Sequence, residues 1–103
     1  MNENKILTFL GFAQKAGSLI SGENTVQSCL KRKNRKLHLV LLAEDMSEEA
    51  QARFKHKLEN KSITYKVFGS KEQLGRSIGK NGRAILAITD RGFAEKIIDL
   101  LEE

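Results

Sequence analysis

Five consecutive residues near the start of the chain combine a helix-start pattern with groups that bind anions. They are Ser21, Gly22, Glu23, Asn24 and Thr25. Free backbone N–H groups at a helix N-terminus form an anion site, and Gly22 allows close approach of another backbone. The Asn24 amide carries a donor and an acceptor, which suits it to the edge of a nucleobase. The alternative is that these residues only cap the helix.

A second stretch combines glycine with positive charge between apolar residues. It contains Ile78, Gly79, Lys80, Asn81, Gly82, Arg83, Ala84 and Ile85. Two glycines with two cations suit a loop that follows a phosphate backbone. The stretch also matches the I-G-x-x-G-x-x-I pattern of KH domains, whose loop clamps single-stranded nucleic acid. A KH domain has a helix after this loop, however, whereas residues 84–89 predict a strand. The alternative is a connecting turn whose charges are only solvated.

Enzyme chemistry is poorly supported by the remaining polar residues. His38 and His56 belong to different predicted elements, and no spacing of histidines and cysteines suits a metal. Residues 69–71 lack the glycine and residue order of a phosphate-binding P-loop. The pair Glu44 and Asp45 could do acid–base work, but Asp45 is better explained as a helix cap. We therefore predict no catalytic residue, no metal and no cofactor.

Composition and charge indicate a small globular protein with a polyanionic partner. The 103 residues suit one domain, residues 1–103, and apolar and charged fractions of 40% and 30% are ordinary. A formal charge of +5 and a pI near 9.5 favour nucleic acid as the partner. The alternative is a basic domain that binds no polyanion.

The single cysteine and the apolar segments predict a cytoplasmic location. Cys29 has no second cysteine to pair with, which fits a reducing compartment. Residues 6–12 are too short and too interrupted for a secretory signal. No run approaches the roughly 20 apolar residues of a membrane span, so we expect no membrane partner.

The elements that must position these residues are organised around residues 37–43. This nearly unbroken apolar run predicts a strand covered on both faces, and a basic segment, residues 31–36, precedes it. Further strands are predicted at residues 18–21, 63–68 and 84–89, alternating with five helices. The pattern predicts a three-layer α/β/α sandwich around a four-stranded mixed sheet.

Helix starts are predicted from capping residues. Either Asp45, through a capping box with Glu48, or Ser47 begins the third helix. Gly75 lies inside the fourth helix, where it costs stability unless a close neighbour requires the missing side chain. The loop after that helix, residues 79–83, is expected to be flexible. The other predicted caps are Asn4, Ser21, Ser70 and Asp90.

Three motifs in register resemble a known family. S-G-E-N at residues 21–24, L-V-L-L-A-E-D-M-S at residues 39–47 and L-G-R-S-I-G-K at residues 74–80 resemble the kink-turn RNA-binding ribosomal proteins of the L7Ae and L30e type. The resemblance spans essentially the whole chain and is greatest to the small bacterial YlxQ-type members. It implies an α/β/α sandwich whose second helix enters the RNA at tandem sheared G·A pairs.

The resemblance also implies which residues contact RNA. Gly22 and Asn24 match the family's Gly-x-Asn, and Glu44 with Asp45 matches its Glu-Asp. Thr25 stands where the family usually has Glu, and Ser28 where it has Lys, which removes two groups from the guanine-reading set. The loop that covers extruded nucleotides corresponds to residues 79–83. Phosphate contacts from the basic segment of residues 31–36, which begins with Lys31 and Arg32, and from Lys80 and Arg83 are expected to compensate.

The leading hypothesis is therefore a non-catalytic cytoplasmic protein that binds structured, kink-turn-like RNA and is associated with the ribosome or translation. The alternative is a protein-interaction adaptor on the same fold. Its proposed surface is the acidic last helix, with Glu95, Asp99, Glu102 and Glu103. The simpler explanation is that these acidic residues only form the solvent-exposed face of the helix.

Overall fold

The computed structural model describes residues 2–32 and 35–103. Lys33 and Asn34, in the middle of the predicted basic segment, lie outside the described residues. Nine elements alternate along the described chain. They are α1 (Glu3–Lys15), β1 (Leu19–Ser21), α2 (Glu23–Arg32), β2 (Leu39–Leu42), α3 (Glu48–Asn60), β3 (Tyr65–Val67), α4 (Lys71–Ser77), β4 (Ile85–Ile88) and α5 (Arg91–Glu102).

The four strands form one mixed sheet in the order β1-β4-β2-β3. β4 runs antiparallel to both of its neighbours, with Ile88 opposite Leu19 on one side and Leu39 on the other. β2 and β3 run parallel, with Val40 opposite Tyr65. The mixed four-stranded sheet predicted from the sequence is thus confirmed.

The two inner strands, β2 and β4, are apolar on both faces because helices cover both faces of the sheet. Every residue of these strands is buried. α1 contacts both α4 and α5 in one layer, whereas α2 and α3 form the other. This arrangement is the predicted α/β/α sandwich. Within residues 2–32 and 35–103 the buried set contains no polar or charged residue.

Three of the predicted helix caps are confirmed. Ser47 Oγ accepts a hydrogen bond from the Ala50 amide at 3.1 Å, and Asp90 Oδ2 accepts one from the Phe93 amide at 2.8 Å. Ser70 forms the predicted capping box with Gln73. These bonds satisfy amides that would otherwise lack partners in the first helical turn.

Three other predicted caps are wrong. Asn4 lies inside α1, which begins at Glu3. Ser21 is the last residue of β1, so Gly22 is the residue that precedes α2. Asp45 does not open α3, because its Oδ1 accepts a hydrogen bond from the backbone N–H of Lys71, the first residue of α4.

The Ser47 cap predicts a specific loss of stability. Ser47→Ala leaves the Ala50 amide without its side-chain acceptor, so we expect the free energy of unfolding to fall by about 1 kcal/mol. Urea denaturation followed by circular dichroism measures this change. Lys61→Ala, at the exposed end of the same helix, should change it by less than about 0.5 kcal/mol. Equal effects of the two substitutions would contradict the cap.

Candidate nucleic-acid interface

One edge of the sheet collects most of the residues that the sequence singles out. β1, β2 and β3 end at this edge and β4 begins there, because β4 alone runs in the opposite direction. We call it the site edge. α2, α3 and α4 each begin just after a strand that ends there, so three helix N-termini, with their partial positive charge, lie at the site edge.

A series of hydrogen bonds joins the segments that meet at the site edge. The Gly22 amide donates to the Ile85 carbonyl at 3.0 Å, and the Ala43 amide donates to the Ala84 carbonyl at 2.8 Å. The Glu44 amide continues the series to the carbonyl of Gly69 at 2.7 Å. The start of α2 and the end of the residue 79–83 loop therefore lie on neighbouring strands, which are about 4.8 Å apart.

The start of α2 leaves donors available to a ligand. The first backbone bond of the helix runs from the Val26 amide to the Gly22 carbonyl at 3.0 Å, so the amides of Glu23, Asn24 and Thr25 precede the helical ladder. Asn24 and Thr25 are exposed. Gly22 has φ +96°, which disfavours any residue with a side chain, and no atom lies within 4 Å of the position that a Cβ would occupy. A ligand can therefore approach this turn closely.

The loop of residues 79–83 is held against α4, so the prediction that it is flexible is wrong. The Lys80 amide donates to the Gly75 carbonyl at 2.9 Å, and the Arg83 amide donates to the Lys71 carbonyl at 3.0 Å. A Cβ on Gly75 would lie only 2.0 Å from the Asn81 carbonyl oxygen. The glycine inside α4 is thus explained by the close passage of the loop backbone.

The two cations of the loop are placed differently. Lys80 is exposed. Arg83 is half-buried, and its Nη1 donates to the carbonyls of Asn81 at 3.3 Å and Gly82 at 3.0 Å. The Arg83 guanidinium therefore supports the loop as well as adding charge. Ile78 is buried and serves as the apolar anchor of the loop rather than as a contact surface.

Glu44 and Asp45 lie at the site edge but differ in what they can do there. Both are exposed. Asp45 is engaged by the Lys71 amide at 2.8 Å, which ties the end of β2 to the start of α4. Glu44 joins the series of hydrogen bonds through its backbone amide. Its carboxylate takes no part in that series.

The basic residues at the end of α2 lie away from the site edge. Lys31 and Arg32 are in the last turn of the ten-residue helix, about 15 Å long by helical rise. Their side chains share a shallow groove along the exposed face of α2 with Asn24 and Ser28. Beyond the helix, Arg35 donates to the Thr89 hydroxyl at 3.1 Å, at the opposite edge of the sheet. The predicted phosphate contacts therefore occupy two separate regions joined by α2.

Sequence reasoning missed one charged residue beside the site. Arg53, in the second turn of α3, places Nη2 at 3.6 Å from Glu23 Oε1 at the start of α2. Its guanidinium also lies 5.7 Å from the centre of the Phe54 ring. No sequence pattern indicates this contact, because Glu23 and Arg53 are distant in the sequence and only the packing of α2 beside α3 brings them together.

Other chemistry receives no support from the described residues. Over residues 2–32 and 35–103 there is no cluster of three histidine, cysteine or acidic side chains that could hold a metal. The hydrogen bond from the Tyr65 hydroxyl to Glu59 raises the pKa of Tyr65, which makes this phenol harder to ionise. No described helix is long and apolar enough to span a membrane.

A sandwich of this topology, with three helix starts and a cationic loop at one sheet edge, defines a class of small ribosomal-protein-like domains. Residues 4–98 match the model of the ribosomal protein L7Ae/L30e/S12e/Gadd45 family. The chain belongs to this family. The resemblance stated from the three sequence motifs is thus confirmed.

Curated relatives show similarity over almost the whole chain. The RNA-binding protein YlxQ of Bacillus subtilis (strain 168) is 41% identical over 93 residues, which are 90% of this chain and 91% of the relative. YlxQ of Enterococcus faecium is 34% identical, over 98% and 95% of the two chains. The large ribosomal subunit protein eL8 of Cenarchaeum symbiosum (strain A) is 31% identical, over 93% and 75%.

Solved structures share the fold. A protein of unknown function from Bacillus halodurans C superposes with a TM-score of 0.88 at 32% identity, over 96% of this chain and 98% of the other. A Giardia lamblia 15.5kD RNA binding protein superposes with a TM-score of 0.79 at 22% identity, over 96% and 86%. The second likeness establishes the fold alone.

The close passage of the loop over α4 predicts an unusual response to alanine. Gly75→Ala would gain about 1 kcal/mol of helix propensity, but the 2.0 Å approach to the Asn81 carbonyl must move the backbone. We expect the clash to dominate and to lower the free energy of unfolding by about 2–3 kcal/mol.

Gly82→Ala is the matched control, because its Cβ would meet nothing closer than 3.8 Å. It should change the free energy of unfolding by less than about 0.5 kcal/mol. Urea denaturation of both variants measures the difference. A Gly75→Ala variant as stable as the native chain would show that the loop is not held against α4.

Proposed function

We propose that this protein is a non-catalytic, cytoplasmic RNA-binding protein that recognises kink-turn-like RNA through the site edge. The observation that carries the proposal is the meeting of the α2 start and the residue 79–83 loop on neighbouring strands. The first offers free amides and Asn24 for base edges, and the second offers Lys80 for phosphate.

The family and its relatives support the same function. The two YlxQ proteins carry RNA binding in their names, and the eL8 relative is a ribosomal subunit protein. Kink-turn recognition is typical of the family that the three sequence motifs resemble. We infer that this chain binds ribosomal RNA or another structured RNA involved in translation.

The proposed contacts divide into two roles. Gly22, Asn24 and Thr25, with Glu44 nearby, would face the bases, because they lie at the site edge on exposed backbone turns. Lys80 and Arg83 would contact or support contacts to phosphate on one flank. Ser28, Lys31 and Arg32 extend the surface along α2, where cations position RNA without specifying sequence.

The adaptor alternative depends on the acidic residues of α5, and part of that charge is already paired. Arg91 Nε lies 3.0 Å from Glu95 Oε2, and Lys66 Nζ lies 3.7 Å from Glu102 Oε2. These ion pairs reduce the negative charge that α5 could offer to a protein partner. We therefore favour RNA as the partner.

Native gel shifts test the proposal directly. A kink-turn RNA should bind more tightly than a straight duplex of equal length, because only bent RNA presents unpaired bases and phosphates to the same edge. Equal affinity for the two RNAs would remove the kink-turn claim and leave charge-driven binding. No binding to either RNA would reject the proposed function.

Asn24→Ala should weaken kink-turn binding by about 1–3 kcal/mol, or about five- to 150-fold, because it removes a base-edge contact. The thermal midpoint should stay within a few degrees, since Asn24 is exposed and alanine favours helix. Asn60→Ala, an exposed asparagine at the far end of α3, is the control and should leave affinity unchanged. A lower midpoint with unchanged affinity would make Asn24 a structural residue.

Lys80→Ala should flatten the salt dependence of kink-turn binding. Each phosphate contact contributes about 0.9 to the slope of log affinity against log salt on duplex RNA, by analogy with DNA. We expect the slope to fall by about one contact when binding is measured by filter retention from 50 to 200 mM salt. Lys61→Ala, an exposed lysine away from the site edge, should leave the slope unchanged. An unchanged slope in Lys80→Ala would exclude this lysine from the interface.

A further inference from the structure

The start of α2 carries a negative charge that an RNA-binding surface must neutralise. Glu23 is the first residue of α2 and precedes Asn24, and its side chain is 42% exposed. A free carboxylate at this position would repel the phosphates of any RNA that reaches the neighbouring amides. The partner of Glu23 therefore affects what the site can bind.

That partner is Arg53, and it comes from the neighbouring helix rather than from the predicted basic segments. Nη2 of Arg53 lies 3.6 Å from Glu23 Oε1. The contact is single and longer than a hydrogen bond, and the Arg53 side chain is 48% exposed. An arginine has five N–H donors, so most of those on Arg53 remain available to a second acceptor.

We propose that Arg53 is a phosphate-binding residue of the RNA site and that the interface extends from α2 onto α3. This inference depends on the proposed function. Arg53 lies on α3 beside the α2 start, whereas Lys80 belongs to the loop that packs against α4 and leads into β4. Arg53 would therefore add a cation from α3 to the one that Lys80 of the loop offers. Arginine suits this position because its planar guanidinium binds phosphate with two parallel hydrogen bonds.

The orientation of Arg53 is favoured before RNA arrives. The Glu23 carboxylate attracts the guanidinium toward the α2 start, and the guanidinium also lies 5.7 Å from the centre of the Phe54 ring. Phe54 is itself fully buried, so the ring beside Arg53 is packed in the core. A side chain restricted in this way loses less conformational freedom on binding.

The test compares the salt dependence of kink-turn binding in the full chain and in three variants. Arg53→Gln should lower the slope of log affinity against log salt by about 0.9, so that the affinity loss between 50 and 200 mM salt shrinks about three- to fourfold. Lys66→Gln is the matched control, a cation in another exposed ion pair, with Glu102 of α5 in the opposite layer. It should leave the slope unchanged.

Glu23→Gln separates phosphate binding from a purely structural ion pair. It breaks the same pair and removes the carboxylate that repels phosphate, but it leaves Arg53 in place, so the slope should not fall below the native value. If Arg53 only fastens α2 to α3, Arg53→Gln and Glu23→Gln will lower the slope equally, which would overturn the inference. A native slope in Arg53→Gln would overturn it as well.

The native chain tests the proposed function independently of the variants. If the native chain fails to prefer the kink-turn over the duplex, the proposed function fails, whatever the variants do. If it shows the preference while Arg53→Gln matches Lys66→Gln, only the extension onto α3 fails.

Discussion

The position of β4 between β1 and β2 is the constraint on which the site depends. Because β4 runs antiparallel to both neighbours, its first residue lies beside the last residues of the two flanking strands. The loop that precedes β4 is thereby brought to the start of α2, although residues 79–83 and 22–25 are more than fifty positions apart in the chain. The eight residues of β2 and β4 are all buried and apolar, so this pairing lies at the centre of the core.

Stability and ligand access are separated in this arrangement. The inner strands and the inner faces of the helices hold the apolar core, whereas polar and charged residues of the described chain lie outside it. The site edge is formed by strand ends, where backbone groups are joined by loop hydrogen bonds rather than by the sheet ladder. Substitutions of exposed residues such as Asn24 and Lys80 can therefore change ligand binding without disrupting the core.

The sequence predicted the fold well because its signals are local. The apolar run at residues 37–43 and the alternation of strands with helices depend on near neighbours, and so does the Ser70 capping box. The features that it missed depend on contacts between distant segments. Asp45 satisfies the N-cap pattern of α3, yet its carboxylate accepts from Lys71, 26 residues further on. The loop of residues 79–83 has the glycines of a flexible segment, yet the absence of a side chain at Gly75 lets it pack against α4.

Positive charge at the candidate site likewise depends on contacts between distant segments and not only on local sequence. Residues 31–36 form the most conspicuous basic segment of the sequence, but Lys31 and Arg32 lie two helical turns beyond Asn24, about 10–12 Å along α2. Exposed charges at that separation are partly screened from the α2 start, because the Debye length in physiological salt is about 8 Å. Arg53, a single arginine in a mixed-charge helix, lies within direct contact of Glu23. The proposed role of Arg53 therefore depends on proximity in the fold, whereas the density of lysine and arginine in the sequence pointed only to residues 31–36.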